Sequence, residues 1–249
     1  MARRLEKRKR PNRIDKPLSA RSKIAGHVFD DKTLDVIFYL RNNKYITSLD
    51  YPISEGKEAI VFKGTSEEGD VAVKIFKYET SSFLRGSMMK YIHGDPRFPS
   101  VQLSHRSLVK LWSRKEFANL KICQDNEIAA PAPIKYRENV IVMQLIGEGG
   151  RPYHLLKDVN LENPLEIYEQ IIREMKKMQK ANLVHADLNE FNILTNGERM
   201  WFIDFAQAVK KEHPHAQEFL EKDCDNIAKY FSKRGVNTSK EEILEEIQS

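Results

Sequence analysis

The stretch from Leu183 to Phe205 constrains this 249-residue chain more than any other. Two apolar runs flank an Asn-Gly pair, which predicts a β-hairpin over residues 192–203. Asn192 stands at one base of that hairpin and Asp204 at the other, so folding brings the two side chains together. Their oxygens suit Mg²⁺, a hard cation. Asp187 lies five positions before Asn192. The alternative is a loop of ordinary solvated Asp and Asn.

A lysine at the end of a strand is the second signal. β-branched residues predict a strand over residues 71–74, which ends in Lys74. Residues 53–62 read as a strand, a tight turn and a returning strand. Taken alone, these are a hairpin and an edge-strand lysine that blocks aggregation. Taken together, they predict a reduced phosphate loop whose side chains and backbone amides face phosphates. Its candidate ATP-binding residues are Ser54, Gly56 and Lys57.

Helical spacing is clear in three places. Residues 30–46 form one apolar stripe with Thr33 as the predicted cap. Residues 108–120 form a second helix that carries Glu116, the candidate partner for Lys74. Glu127 is a weaker candidate, and the alternative is that Glu116 is a solvated helix charge. Residues 164–181 form a long amphipathic helix.

Charge is concentrated at the N-terminus. Residues 1–23 carry ten basic and two acidic side chains, whereas the whole chain has a formal net charge of +5, so the remainder has a net charge of −3. This segment is predicted to be a disordered basic arm that binds nucleic acid, or a solubilising end. No window approaches the length of an apolar membrane span and no secretory signal is evident, so we expect a cytoplasmic protein without membrane contact.

The assembled motifs are those with which protein kinases build a phosphoryl-transfer site. More specifically, the chain resembles the RIO-type atypical serine/threonine protein kinases, and within them the first subfamily, in an archaeal-like form. The resemblance runs from about residue 23 to about residue 234. The residues that carry it are Ser54–Ala59, Val73–Ile75, Lys115–Phe117, Leu183–Asn192 and Ile203–Gln207.

The resemblance implies an α+β, two-lobed protein-kinase-like fold with a small β-rich N-lobe and a mostly helical C-lobe. It also implies the absence of an activation loop and of peptide-docking subdomains. The expected organisation is a basic arm at 1–23, a helical extension at 24–48, an N-lobe at 49–146 with a mobile insertion at 78–107, and a C-lobe at 147–249.

Site roles follow residue by residue from the resemblance. Asp187 is the expected catalytic aspartate, and Lys74, paired with Glu116, contacts the ATP phosphates. Asn192 and Asp204 coordinate Mg²⁺, with Mn²⁺ as an alternative. Backbone groups near Gln144 and Ile146, in the buried strand predicted over residues 140–146, receive the adenine.

Several residues depart from the pattern of ordinary kinases. Ala186 replaces the arginine with which ordinary kinases bind a phosphorylated activation loop. Asn189 stands where a catalytic lysine often lies, so the charge of the transition state must be met by metal and Lys74. Ala206 replaces a glycine, which puts the usual flip of that segment in doubt. Only 18 residues separate Asp204 from Asp223, the expected start of the next helix.

The expected function is that of an ATP-dependent serine/threonine kinase, an ATPase, or both, acting in maturation of the small ribosomal subunit. The acceptor is expected to be a serine, in the protein itself, or transiently Asp204. The basic arm would bind the subunit precursor or its RNA, and the oligomeric state is left open. The alternatives are a small-molecule phosphotransferase of the aminoglycoside-kinase type and an RNA-binding module with a vestigial kinase site.

Overall fold

A computed structural model describes residues 29–78, 88–98 and 104–249. The basic arm at 1–23 and most of the segment that joins it to the first helix lie outside those ranges. The candidate acceptors are the six serines of residues 78–107, and four of them also lie outside: Ser81, Ser82, Ser87 and Ser100.

Helix α1, Asp31–Asn42, is the first described element. Its N-cap is Asp30, whose carboxylate accepts the Thr33 amide at 2.9 Å. The predicted helix is therefore present but ends at Asn42 rather than at residue 46, and the prediction of a Thr33 cap is wrong. An acidic residue three positions earlier caps the helix, which frees the Thr33 hydroxyl to accept the buried Asn139 side-chain amide at 3.0 Å.

Five antiparallel strands form one sheet in the order β1-β2-β3-β5-β4. The four predicted strands, two within residues 53–62 and one each at 71–74 and 140–146, are present in it, and the last of them ends at Gln144. The strands are β1 Ser48–Glu55, β2 Ala59–Ser66, β3 Gly69–Phe76, β4 Pro133–Arg137 and β5 Val140–Gln144.

Alternation along β3 decides which side chains reach which side of this sheet. Val71, Val73 and Ile75 are buried in a cluster with Leu40 of α1. Because successive strand residues point to opposite faces, Lys74 faces away from α1. The lysine is thereby delivered to the side on which the rest of the molecule lies.

Helix α2, His105–Asp125, packs on that second side of the sheet. It begins three residues before the predicted start at Leu108, with Ser104 as its N-cap. Part of the expected mobile insertion is ordered: residues 88–92 are helical. The apolar residues of the described part 88–98 pack into the main core with α2, and these are Met88, Tyr91, Ile92 and Phe98.

The C-terminal half is mostly helical. The predicted long helix is confirmed as α3, and the predicted hairpin is confirmed as β10 and β11, joined by a four-residue loop rather than a two-residue Asn-Gly turn. Helix α4 begins well before its expected start at Asp223, because Ala216, Phe219 and Leu220 extend its buried face. The helices are α3 Pro164–Lys180, α4 Ala216–Ser232 and α5 Lys240–Gln248, with a 3-10 helix at Leu156–Asp158.

Short strand pairs complete this half, around the cleft in which Lys74, Asp187 and Asp204 lie. A three-stranded sheet has the order β11-β10-β8, and β12 pairs with β9. Within the described ranges, no helix combines the length and apolar character needed to cross a membrane. The remaining strands are β6 Gly147–Glu148, β7 Arg151–Pro152, β8 His154–Leu155, β9 Leu183–Val184, β10 Ile193–Thr195, β11 Met200–Phe202 and β12 Val209–Lys210.

Leu40→Ala should lower the free energy of unfolding by about 2–5 kcal/mol, because the Leu40 side chain is fully buried where α1 packs against the sheet. Leu34→Ala is the matched control on the same helix, since Leu34 is 38% exposed, and it should change stability by less than about 0.5 kcal/mol. Urea unfolding of both variants measures the difference. Equal effects would show that α1 is not part of the folded core.

Candidate active site

Lys74 lies between two carboxylates. Its Nζ donates to Glu116 Oε1 at 2.7 Å and to Asp204 Oδ1 at 3.0 Å. The pair predicted between Lys74 and Glu116 is therefore present, while Glu127, the weaker candidate, lies on the exposed surface. Burial acts to lower the pKa of Lys74, but Asp204 and Glu116 outweigh it and raise that pKa well above its usual range.

Asp204 ends the hairpin and faces the open cleft, with 47% of its side chain exposed. Burial of the surrounding segment acts to raise its pKa, but the Lys74 ammonium outweighs that and holds the pKa below its usual range. The backbone at Asp204 has φ of +66°, a conformation that L side chains rarely adopt. Such strain is found where a site constrains the chain, and here it turns a carboxylate toward the lysine.

Asp187 lies in the loop after β9, and three side chains hold its carboxylate. Asn192 Nδ2 is 3.2 Å from Oδ2, and Gln207 Nε2 is 3.3 Å from the same oxygen. Lys222 Nζ, from α4, is 3.3 Å from Oδ1. Lys222 and Gln207 are contacts that the sequence reading missed. The Asp187 side chain is 29% exposed, so it is open to a substrate.

A buried carboxylate of α4 holds the loop around Asp187 in place. Asp223 of α4 accepts the amides of Ala186 at 2.8 Å and Leu188 at 2.7 Å. Burial raises the pKa of Asp223, and the two amide donors act against that rise. Ala186 has φ of +69°, so these bonds hold a strained backbone immediately before Asp187. A polar residue amid the apolar stripe of α4 was the sequence signal for this anchor.

His185 is buried on the other side of the loop. Its Nε2 donates to the Ile203 carbonyl at 3.1 Å, and its ring contacts those of Phe202 and Phe205. Burial lowers the pKa of His185, which favours the neutral ring. The loop that carries Asp187 and the strand that leads to Asp204 are thereby packed against each other.

Asn192 and Asp204 present oxygen ligands that fit Mg²⁺. The Ile203 amide donates to the Asn192 carbonyl at 3.0 Å, so the two ends of the hairpin are adjacent, as predicted. Asn192 uses its Nδ2 to bond Asp187, and its Oδ1 has no partner among the hydrogen bonds of the described residues. One carboxylate and one amide oxygen match the hard-cation preference, and waters and phosphates commonly complete such sites.

The turn between β1 and β2 departs from the expected phosphate loop in one respect. The Gly56 amide donates to the Ala59 carbonyl at 2.9 Å, so it is used inside the turn. Ser54 and Lys57 are exposed. Glu58, which the sequence reading left unassigned, accepts the Trp112 indole N–H at 3.1 Å. Burial raises the pKa of Glu58, and the nearby Asp204 charge adds to the rise.

The predicted adenine position lies at the end of β5. The Gln144 amide donates to the Ala132 carbonyl at 2.8 Å, and the Ile146 carbonyl accepts the Tyr153 amide at 3.0 Å. The Gln144 amide is therefore unavailable to a base, whereas the Ile146 carbonyl keeps a second lone pair. The Ile146 amide has no partner among the described backbone bonds outside the strands, so the prediction of an adenine contact at this edge rests on that amide.

Helix α2 also clamps the segment that follows Asp204. Lys115 Nζ donates to the carbonyls of Ala206, at 2.9 Å, and Ala208. Asn119 Nδ2 donates to the carbonyls of Phe205 at 2.8 Å and Ala208 at 2.9 Å. Both side chains are fully buried. The helix that pairs with Lys74 through Glu116 thus also fixes the backbone behind Asp204.

A two-lobed fold with a lysine–glutamate pair under the sheet, and an aspartate, an asparagine and a second aspartate at the cleft, defines a phosphotransferase of the protein-kinase-like class. Comparison with known proteins narrows the class. A family model described as the RIO domain matches residues 60–244. The chain belongs to the RIO family of serine/threonine-protein kinases, as the sequence resemblance predicts.

Two archaeal relatives carry the name RIO-type serine/threonine-protein kinase Rio1. The protein of Haloferax volcanii is 38% identical over 224 residues, which cover 90% of this chain and 77% of that protein. The protein of Thermoplasma acidophilum is 41% identical over 189 residues, which cover 76% and 99% of the respective chains. The Rio2 kinase of Chaetomium thermophilum, solved as an ADP/Mg²⁺-phosphoaspartate complex, shares the fold at a TM-score of 0.64 and 22% identity, with 91% of this chain and 74% of that chain covered.

Lys115 should make stability depend on pH. Burial lowers its pKa to about 7, and the positive charge of Arg97 adds to the shift. An unfolded lysine titrates near about 10.4, so between these values the unfolded chain binds more protons than the folded one. The free energy of unfolding should therefore rise with pH across this window, by up to about 1.4 kcal/mol per pH unit from this group.

Urea unfolding of Lys115→Met should show a shallower pH slope than the unmodified chain, whatever its absolute stability. Lys121→Met is the control, because Lys121 is an exposed lysine of the same helix, and it should keep the original slope. An unchanged slope in Lys115→Met would mean that Lys115 is charged in the folded protein throughout the window.

Proposed function

We propose that this protein transfers the γ-phosphoryl group of ATP to a hydroxyl or carboxylate acceptor, as an ATP-dependent serine/threonine kinase, an ATPase, or both. The observation that supports this most directly is the chain of contacts from Glu116 through Lys74 to Asp204, which lies in one cleft with Asp187. A vestigial site would have no reason to retain a buried lysine between two carboxylates, since such a charge is costly to bury.

In this proposal the residues of the site have different roles. Lys74, held by Glu116, binds the ATP phosphates, and the turn at Ser54, Gly56 and Lys57 covers them. Asn192 and Asp204 hold Mg²⁺, which neutralises phosphate charge when bound. Asp187 orients the attacking hydroxyl and accepts its proton.

The acceptor is constrained by how little chain follows Asp204. Helix α4 begins at Ala216, so the intervening segment holds the short strand β12 and no helix of its own. This leaves no extended platform for a peptide, which makes acceptors within the protein easier to reach. Of the candidate serines, Ser104 and Ser107 are engaged at the start of α2, where Ser104 Oγ accepts the Ser107 amide at 3.2 Å.

Asp204 is the other internal acceptor, because its carboxylate lies beside the lysine expected to hold the phosphates. Its oxygen would form a bond to the γ-phosphorus while the bond to the β–γ bridging oxygen breaks and ADP leaves; no proton is transferred. Aspartyl phosphates are established chemistry for ATPases. The phosphoaspartate of the related Rio2 kinase complex supports this choice.

Label from γ-labelled ATP should become attached to the protein in the presence of Mg²⁺, and hydroxylamine should remove it, because an acyl phosphate is cleaved where phosphoserine is stable. Asp204→Asn is the matched control and should remain unlabelled. Label that survives hydroxylamine and maps to residues 78–107 would identify a serine instead. Hydrolysis of ATP with no label would favour direct attack by water, and neither label nor hydrolysis would contradict the proposed function.

We further propose that the protein acts on or with the maturing small ribosomal subunit, through its basic arm. The support is the contrast between ten basic side chains in residues 1–23 and the net −3 of the remainder. An arm of this charge gains affinity for RNA by counterion release, and such binding weakens steeply with salt. Its task would be to bring the cleft to a ribonucleoprotein substrate.

Deletion of residues 1–23 should weaken binding to small-subunit RNA without changing basal ATP turnover. A plot of log affinity against log salt concentration should be steep for the full chain and shallower for the truncated one, because fewer phosphates are neutralised. Filter binding at several salt concentrations measures both slopes. Identical slopes would remove the arm from RNA recognition and leave the proposed phosphotransferase activity untouched.

A further inference from the structure

Asn189 cannot supply the positive charge that a lysine at its position would supply. Its Nδ2 donates to the Asp187 carbonyl at 2.8 Å, and its Oδ1 accepts the Phe191 amide at 2.8 Å. Both polar ends of this neutral side chain are therefore used inside the loop. Residue 189 therefore contributes no positive charge to the site.

The structure places a cation beside Asp187 from another element. Lys222 of α4 lies with its Nζ 3.3 Å from Asp187 Oδ1. Lys74, by contrast, is committed to Glu116 and Asp204 on the metal side of the cleft. Lys74 thus lies beside Asp204, and Lys222 lies beside Asp187.

The position of Lys222 is set by the fold rather than by a flexible surface contact. The adjacent Asp223 accepts the amides of Ala186 and Leu188, on either side of Asp187. One turn further along α4, Asn226 Nδ2 donates to the Leu188 carbonyl at 3.0 Å. Three backbone bonds therefore fix this turn of α4 against the loop that carries Asp187.

The contact is a poor candidate for a purely stabilising role. The Lys222 side chain is 52% exposed, and partly exposed ion pairs contribute little to folding. The ion pair between Lys222 and Asp187 therefore adds little to folding stability by itself.

We propose that Lys222 is a positioning residue of the phosphoryl-transfer site and supplies the cation that Asn189 does not. Its ammonium orients the Asp187 carboxylate toward the reacting group. The attacking hydroxyl, of serine or water, then passes its proton to Asp187 as its oxygen bonds to the γ-phosphorus and the bond to the β–γ bridging oxygen breaks, releasing ADP. This inference rests on the proposed function.

The test compares Lys222→Met, Lys222→Arg and a matched control, Lys229→Met, in the full-length protein. Lys229 is on the same helix, is 68% exposed and pairs with Asp225 at 2.5 Å, away from Asp187. Steady-state ADP release with Mg²⁺ and ATP gives kcat and KM, and titration with ADP and Mg²⁺ gives nucleotide affinity. Thermal unfolding establishes that each variant is folded.

Lys222→Met should lower kcat by about 10- to 100-fold, less than the loss from removing a fully buried electrostatic donor, because Lys222 is half exposed. KM and nucleotide affinity should be unchanged, since Lys222 does not hold the nucleotide. Lys222→Arg should restore most of the rate because it keeps the charge, and Lys229→Met should match the unmodified protein.

Two results would overturn the proposal while the unmodified protein remains active: an unchanged kcat in Lys222→Met, or an Arg variant no better than the Met variant. If Lys222→Met does not fold, Lys222→Gln replaces it and the same criteria apply. An unmodified protein that neither transfers phosphate nor releases ADP would instead overturn the proposed function, which separates the two failures.

Discussion

The buried ammonium of Lys74 is the interaction on which the rest of the cleft depends. It joins three separate parts of the chain: β3, α2 through Glu116, and the end of the hairpin through Asp204. A buried pair of this kind is strongly destabilised when one partner is lost, by about 3–5 kcal/mol, because an uncompensated charge stays behind. The lysine therefore makes the sheet, the helix behind it and the end of the hairpin that carries Asp204 depend on one another.

A second set of contacts links α4 to the loop that carries Asp187. Because α4 begins soon after Asp204, the helix itself, through Asp223, holds the loop that carries Asp187. The connection between Asp204 and α4 contains only the short strand β12, and α4 brings the charged side chains of Lys222 and Asp223 to the loop that carries Asp187.

Much of this arrangement could be predicted from the sequence, because local patterns determine it. Alternation along residues 71–76 predicts the face on which Lys74 lies, and a hairpin necessarily brings Asn192 and Asp204 to the same end. Long-range contacts were different. No local pattern shows that Lys222 reaches Asp187 across 35 positions, or that Asn119 meets the backbone after Asp204. The Asp30 cap was missed for a simpler reason: Asp30 and Thr33, three positions apart, are both cap-type residues, and tertiary contacts decide between them.

The clamp behind Asp204 bears on how such a site can be controlled. Lys115 and Asn119 together satisfy the carbonyls of Phe205, Ala206 and Ala208 inside the core. A flip of this segment would leave those carbonyls and a buried lysine without partners, and each unsatisfied buried polar group costs about 1–3 kcal/mol. Replacement of the usual glycine by Ala206 is consistent with a segment that stays in place. Control by rearrangement of this segment is therefore unfavourable.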